Sequence, residues 1–387
     1  MTRLPATLMA DPVLARVLAA LTAGGAQALI VGGAVRNALL GEPVADVDIA
    51  TSAPPAEVMR LAAAAGLRTV PTGIEHGTVT LIAGGHGYEV TSFRRDVETF
   101  GRRAVIAFSD SLHEDAERRD FTMNALYADA SGQVLDPVGG LADLAARRLR
   151  FVGDPRARIT EDYLRILRFF RFLAWYGREA DLHALAACRE LRAGLAGISK
   201  ERIGHEMRRL LAAPDPTQAL ALMAEAGILS LILPGADPGD MRELIEAEHD
   251  FGTGALPRWP RRLALLAADD AATALRLSRA EIREQQAIAL ALALALPVAA
   301  YHHGRSAAAQ AVLIRAARGQ PPAFGWCHEI ARGAAAQFPL AARDLMPALA
   351  GAAIGDGLRR AEAAFVASDF RLEPEALRRI ALQEPGS

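Results

Sequence analysis

Lysine is almost missing from this chain: among 43 basic residues, Lys200 is the only one that is not arginine. That skew reads as compositional bias and points to no function. Aromatic residues are also scarce, at 5%, although hydrophobic residues reach 51%, because alanine and leucine fill the apolar positions. Such a mixture favours helices, particularly after residue 140. No uninterrupted apolar run reaches the roughly 18 residues of a membrane span, and the N-terminus lacks a signal-peptide pattern. A soluble, cytoplasmic protein with no membrane partner is therefore expected. The apolar stretch from Ala287 to Ala300 is too short to cross a bilayer and holds Pro297, so it reads as a buried helix. Cys188 and Cys327, the only two cysteines, fall in unrelated helical contexts, which excludes a disulfide framework and a zinc site. There is no G-x-x-x-x-G-K-S/T, and Gly32-Gly33 does not extend to G-x-G-x-x-G. The commonest nucleotide-binding signatures are thus excluded.

At 387 residues there is room for two or more domains. Residues 1 to about 140 read as mixed α/β. The strands are expected at Gln27 to Val31, Val47 to Ala50, Gly77 to Ala83, Tyr88 to Phe93 and Gln133 to Leu135. Helices are expected at Pro12 to Ala23, Ala34 to Leu40, Pro55 to Ala65 and Asp120 to Leu126. Beyond Leu141 amphipathic helices take over, broken near Pro214 to Pro216, Pro234-Gly235, Pro257 to Pro260 and Gln320 to Pro322. Net charge is only −2, but nine arginines between Arg147 and Arg178 face three acidic residues, a plausible phosphate-tracking surface.

The most informative stretch is VGGAVRNALLGEPVADVDIAT, from Val31 to Thr51. A buried strand ends at Gly32-Gly33, where a phosphate could approach the backbone and the start of the next helix. Asp46 and Asp48 lie two apart, so a strand would project both from one face. Paired carboxylates of this kind repel unless a cation joins them, and oxygen-rich sites suit Mg²⁺. Either feature alone is an ordinary turn or cap; together, with Arg36 between them, they point to nucleotidyl transfer.

Three further segments carry chemistry. In GYEVTSFRRD, from Gly87 to Asp96, Glu89 and Val90 point to opposite faces of a strand. In ERRDFTMNAL, from Glu117 to Leu126, Arg118 and Arg119 precede an aspartate able to cap the following helix. In TEDYLRILRFFR, from Thr160 to Arg171, Thr160 is placed to cap a helix on which Asp162 and Arg165, three apart, share a face. A carboxylate accepts from the exocyclic amine of cytosine or adenine while a guanidinium donates to the adjacent ring nitrogen. Uracil and guanine reverse both roles.

These segments, in this order, resemble the class II branch of the polymerase-β-like nucleotidyltransferases, which contains tRNA CCA-adding enzymes and bacterial poly(A) polymerases. The likeness runs from about Leu29 to Leu211. It implies an α+β protein: a head with a mixed sheet (1–140), a helical neck that recognises the base (141–213), and a helical body and tail that bind tRNA (214–387). It implies that Asp46 and Asp48 bind Mg²⁺ and that Glu89 completes the catalytic carboxylates. Gly32, Gly33 and Arg36 would hold the triphosphate, while Arg119, Asp120 and Asn124 of R-R-D-F-T-x-N-A lie near ribose and triphosphate. Asp162 and Arg165 would read the base, with Arg168 as a further base or phosphate contact. The segment DPVGGLADL, from Asp136 to Leu144, resembles the family's head–neck hinge, and ISKERIGHEMRRLL, from Ile198 to Leu211, its last neck motif. The implied partners are tRNA, CTP and ATP. Pro71 to Thr80, PTGIEHGTVT, is closer to the CCA-adding branch than to the poly(A) branch. Partial addition, poly(A) synthesis and a catalytically silent RNA-binding protein remain the alternatives. Two positions depart from the pattern: Asn37 stands where aspartate is usual, and Phe100 where an acidic residue is common in the D-V-E-T-x-G-R loop.

Overall fold

A computed structural model describes residues 2–100, 103–252 and 258–383, with side chains described outside 96–106. Phe100 therefore lies outside the described side chains. The chain divides into two compact units, Met1–Ile232 and Leu233–Ser387.

The first unit is built on β1 (Ala28–Val31), whose four residues are all buried. Next come β2 (Asp48–Thr51), β3 (Arg68–Gly73), β4 (Thr78–Ala83) and β5 (His86–Ser92). β6 (Arg94–Phe100) and β7 (Arg103–Phe108) form a separate antiparallel pair, and β8 (Tyr127–Ala128) and β9 (Val134–Leu135) follow. The main sheet has seven strands in the order β3-β4-β5-β2-β1-β8-β9. It is mixed because β2 and β5 run parallel, whereas β1 pairs antiparallel with both β2 and β8. Alternating burial in β4 and β5 sends Val79, Leu81, Tyr88 and Val90 into the core and leaves Glu89 on the open face. Beneath β1 and β2, Leu29, Val31, Ala50, Phe93, Ala125 and Tyr127 pack together.

One cluster of aromatics joins the sheet-bearing part of this unit to the helices that follow it. Phe121 lies 4.9 Å from Phe151 and 5.1 Å from Phe172 between ring centroids, and Phe151 stacks on Phe169 at 5.8 Å. The helix Arg165–Tyr176 thereby buries Phe169, Phe170 and Phe172 against the head. The Arg171 guanidinium pairs with Glu206 on the helix Lys200–Leu211 at 2.5 Å, with both side chains buried. In the hinge-like segment, Asp136 accepts from the N–H groups of Gly140 and Leu141 at 2.7 and 2.9 Å, so it caps the helix Gly140–Ala146. Gly139 sits at φ 78°, and a Cβ on Gly140 would meet the Thr122 carbonyl oxygen at 2.1 Å. Backbone contact, beyond turn geometry, is therefore what demands the second glycine. Gly140→Ala is expected to cost about 2 kcal/mol by overpacking, read as a fall in urea or thermal midpoint. An unchanged midpoint would contradict that packing.

The second unit is helical among its described residues. Its longest element, Leu296–Ala317, bends at Gly304, and Glu248 is held between the buried Arg261 and Arg262. Leu345, Phe365 and Leu377 centre a small core of its own.

Several expected elements differ. The helix expected from Asp120 to Leu126 is instead a single 3-10 turn, Thr122–Asn124, because Asp120 is engaged by Arg168 and Thr122 by Asp143. The stretch from Ala287 to Ala300 is not one buried helix: Arg279–Ala291 ends there, Pro297 opens Leu296–Ala317, and Leu290 is exposed. Among the described residues, no helix is long and apolar enough to cross a membrane.

Candidate functional site

The site grows from one register. In the antiparallel pairing of β1 and β2, Val31 stands opposite Asp48, so Gly32 follows directly beside the first residue of the acidic strand. β5 runs parallel on the other side of β2, with Ile49 opposite Val90, which brings Glu89 alongside Asp48. Asp46 is not on the strand as expected but two residues ahead of it, since β2 begins only at Asp48. Asp46, Asp48 and Glu89 are all exposed. Although solvent reaches Asp48, the protein packed around its carboxyl, then the negative charges of Glu89 and Asp46, push it above its usual range, with Arg119 opposing. Glu89 and Asp46 both lie near enough to Asp48 for their charges to act on its carboxyl. Among the described residues no group of three or more His, Cys, Asp or Glu side chains is placed to hold a metal ion, so these three carboxylates do not form a ready-made ligand set. An open set completed by water or phosphate is what small, hard cations prefer.

Gly32 adopts φ 68° and ψ −119°, a conformation open to glycine, and starts the helix Gly33–Leu40 without a side-chain cap. The helix's leading N–H groups are thereby left for an anion. A Cβ at Gly32 would lie 3.5 Å from Arg119 Nη1, so the arginine of R-R-D reaches the turn. Arg118 and Arg119 do not open a helix, as the sequence suggested; they follow the C-terminal end of Leu112–Glu117.

Their direction is set by Asp115, which is 1% exposed. It accepts from Arg118 Nε at 2.8 Å, Arg119 Nη2 at 2.9 Å and the Tyr127 hydroxyl at 2.7 Å. Burial alone would raise this carboxyl, but Arg119, Arg118 and Tyr127 outweigh it and hold it below the usual range. Asp115 and Tyr127 were not singled out by sequence. The spacing of three and four residues to the two arginines was a usable helical signal for Asp115. Asp115→Asn should destabilise the protein by about 3 kcal/mol at neutral pH by leaving buried positive charge uncompensated. A depressed carboxyl contributes its stability above the unfolded value of about 4 and loses it as pH falls through the folded value. The gap between wild type and variant in urea unfolding should therefore narrow between pH 7 and pH 3. An equal gap at both would refute the charge pairing.

Asp120 does not cap a helix either. Its carboxylate accepts from the Phe121 N–H at 2.8 Å, Asn124 Nδ2 at 3.0 Å and Arg168 Nε at 2.9 Å. Burial opposes ionisation, but Arg168 first, then these hydrogen bonds, hold the Asp120 carboxyl far below its usual range. Arg168 is thus committed to Asp120, an ion pair between neck and head.

Asp162 and Arg165 do not share one helix face. The helix Pro155–Glu161 ends at Asp162, whose backbone is extended at φ −153° and ψ 104°, and Arg165 opens the next helix. Thr160 is no cap; its hydroxyl donates back to the Arg156 carbonyl at 2.5 Å. One Asp162 oxygen accepts from the Leu164 N–H at 3.1 Å and the other from Arg202 Nη2 at 2.6 Å. Arg165 is fixed by Glu161 and by the Arg158 carbonyl. The helix break nevertheless directs both side chains into one polar cleft of about 340 Å³. Arg118, Arg119, Asp120, Asn124, Arg168 and Arg202 line the same cleft. Arg202, 40 residues beyond Asp162, had no local signal to mark it.

Arg36 stands apart from this lining. It is 6% exposed, donates to Asn37 Oδ1 from Nε at 3.1 Å and Nη2 at 2.8 Å, and to Asn124 through Nη1. Asn37, the departure from aspartate, thus still serves as its partner and also donates to the Pro43 carbonyl at 2.8 Å.

Comparison with known proteins agrees with this fold. Residues 28–150 match the family described as Poly A polymerase head domain, and residues 181–239 the one described as probable RNA and SrmB-binding site of polymerase A. A CCA-adding enzyme of Geobacillus sp. (strain WCH70) is 45% identical over 212 residues, 54% of this chain and 51% of that protein. A CCA-adding enzyme of Streptococcus gordonii is 41% identical over 266 residues, 67% of this chain and 65% of that one. The chain thus spans about half the length of the first curated relatives it matches, between 51% and 56%. Its structure superposes on the Bacillus stearothermophilus CCA-adding enzyme in complex with CTP with a TM-score of 0.75 and 31% identity, covering 94% of each chain.

Proposed function

This chain belongs to the class II nucleotidyltransferase family that holds CCA-adding enzymes and bacterial poly(A) polymerases, and from that premise we propose that it adds C, C and A to the 3′ end of tRNA. The substrates in this reading are CTP and ATP, and pyrophosphate is released. The observation that carries it is the register that sets the Gly32-Gly33 turn beside Asp48, with Glu89 on the neighbouring strand.

Asp46 and Asp48 would hold Mg²⁺, with Glu89 completing the acidic set. Bound there, the ion would supply charge stabilisation to the transferring phosphoryl group and lower the proton affinity of the attacking 3′-hydroxyl. The chain's own residues do the rest. Gly32 and Gly33 offer backbone N–H groups to the triphosphate, and Arg119, aimed by Asp115, supplies positive charge beside them. Asp120, held by Arg168 and Asn124, braces the ribose side of the cleft. Asp162 accepts from the exocyclic amine of cytosine or adenine while Arg165 donates to the adjacent ring nitrogen. Uracil and guanine present the reverse pattern, and each mismatched pair costs about 1–3 kcal/mol. One protein pair thereby selects two bases without a nucleic-acid template. The helical residues 141–213 act as the neck, and 214–387 bind tRNA by shape and phosphate contacts. This reading places the protein in the cytoplasm.

The test is incubation of the protein with tRNA lacking its terminal CCA, labelled CTP or ATP, and Mg²⁺. Addition of three nucleotides in the order C, C, A is expected. Addition of CC or A alone would make it a partial enzyme, and long A tails on arbitrary RNA a poly(A) polymerase. No incorporation would leave a silent RNA-binding protein.

A further inference from the structure

Arg36 is a buried cation four residues after the glycine turn begins, yet it does not line the cleft. Its guanidinium carbon lies 3.8 Å from the centroid of the Tyr176 ring and 5.3 Å from that of Phe172. Both rings belong to the helix Arg165–Tyr176, whose first residue is one of the two proposed base readers. On its other side Arg36 donates to Asn124 in the 3-10 turn after R-R-D, and its Nη2 lies 3.6 Å from where a Cβ on Gly33 would sit. One side chain therefore touches the turn proposed for the triphosphate and the helix proposed for the base.

We infer that Arg36 is a positioning residue that fixes the separation of the triphosphate turn from the base-reading helix through the face of Tyr176, and that this contact sets base selectivity. The inference rests on the nucleotidyl-transfer reading and replaces direct phosphate binding by Arg36. A guanidinium stacked on an aromatic face can act as such a spacer, since its plane fixes orientation and a desolvated cation–π contact is stronger than an exposed one. Base and triphosphate are joined by a ribose, so a small shift of one anchor relative to the other misaligns the hydrogen bonds to the base edge. The phosphates, gripped by backbone and charge, tolerate the same shift. Tyr176 is half-buried at the helix end and its ring packs on Phe172 at 5.6 Å, one ring removed from the Phe121–Phe151–Phe169 packing.

The experiment is equilibrium binding of CTP, UTP and inorganic triphosphate to the full chain, comparing wild type with Tyr176→Phe, Tyr176→Leu and Arg36→Lys. In Tyr176→Leu and Arg36→Lys the preference for CTP over UTP should fall about tenfold, with affinity for inorganic triphosphate unchanged within about twofold. Tyr176→Phe keeps the ring and should keep the preference. Intact preference in both altered variants would overturn the inference. So would inorganic triphosphate weakening in step with CTP in Arg36→Lys, the mark of a phosphate ligand. Wild type that binds inorganic triphosphate without preferring CTP would remove the base readers, and the inference with them. Wild type that binds no triphosphate would sink the nucleotidyl-transfer reading itself.

Discussion

Asp48→Asn is expected to lower nucleotide incorporation roughly a thousandfold or more, since removing a metal carboxylate forfeits at least about 4 kcal/mol of transition-state stabilisation. The loss should come without loss of the fold. Because burial, Glu89 and Asp46 raise the Asp48 carboxyl, its ionised form is disfavoured in the folded state. At neutral pH, without a cation, the charge therefore works against folding. Asn removes the charge at nearly constant volume, so the variant should unfold in urea at the same midpoint as wild type or a higher one. Binding of tRNA should also persist, because phosphate contacts spread over a helical body do not depend on one carboxylate. Equal loss of tRNA binding, or a markedly less stable variant, would contradict a metal role. Asp115 is the opposite case: there two arginines depress the carboxyl, and the same substitution should destabilise.

Asp162→Ala should raise incorporation of UTP relative to CTP by about tenfold to a hundredfold, the worth of one buried hydrogen-bond mismatch no longer enforced. Affinity for the triphosphate should change much less. Asp162 stands at a break between two helices, and Arg202 and the Leu164 N–H hold its two oxygens. Those contacts orient the carboxylate toward the cleft and leave lone pairs for an amine. Once the carboxylate is gone, Arg202 remains in the cleft as a donor, which suits the carbonyl of uracil or guanine. Selectivity should therefore relax toward those two bases together, as measured by competition between UTP or GTP and CTP. Unchanged selectivity would remove Asp162 from base reading.

What the sequence disclosed, and what it hid, follows from the range of the interactions. The glycine turn and the acidic strand lie within about 20 residues, and the alternation of β5 was visible in Tyr88, Glu89 and Val90, so these were legible locally. The edge strand β3 was missed because its exposure is irregular and mostly high, which leaves no period-two pattern. The supposed helix after Asp120 looked sound by capping rules. It fails because Asp120 is claimed by Arg168, 48 residues away, and Thr122 by Asp143, 21 away. Helical spacing placed Asp162 and Arg165 on one face, but the chain breaks between them and restores their proximity by another route. Arg36 was assigned by proximity to the glycines; its stacking on Tyr176, far along the chain, has no trace in local pattern.

Diffraction from crystals of the protein soaked with CTP and Mn²⁺, with the ion located by its anomalous signal, tests the central claim most directly. A peak is predicted between the oxygens of Asp46 and Asp48, beside Glu89, with the triphosphate along Gly32-Gly33 and the base edge against Asp162 and Arg165. An ion and triphosphate bound away from that turn, with the three carboxylates unligated, would contradict it.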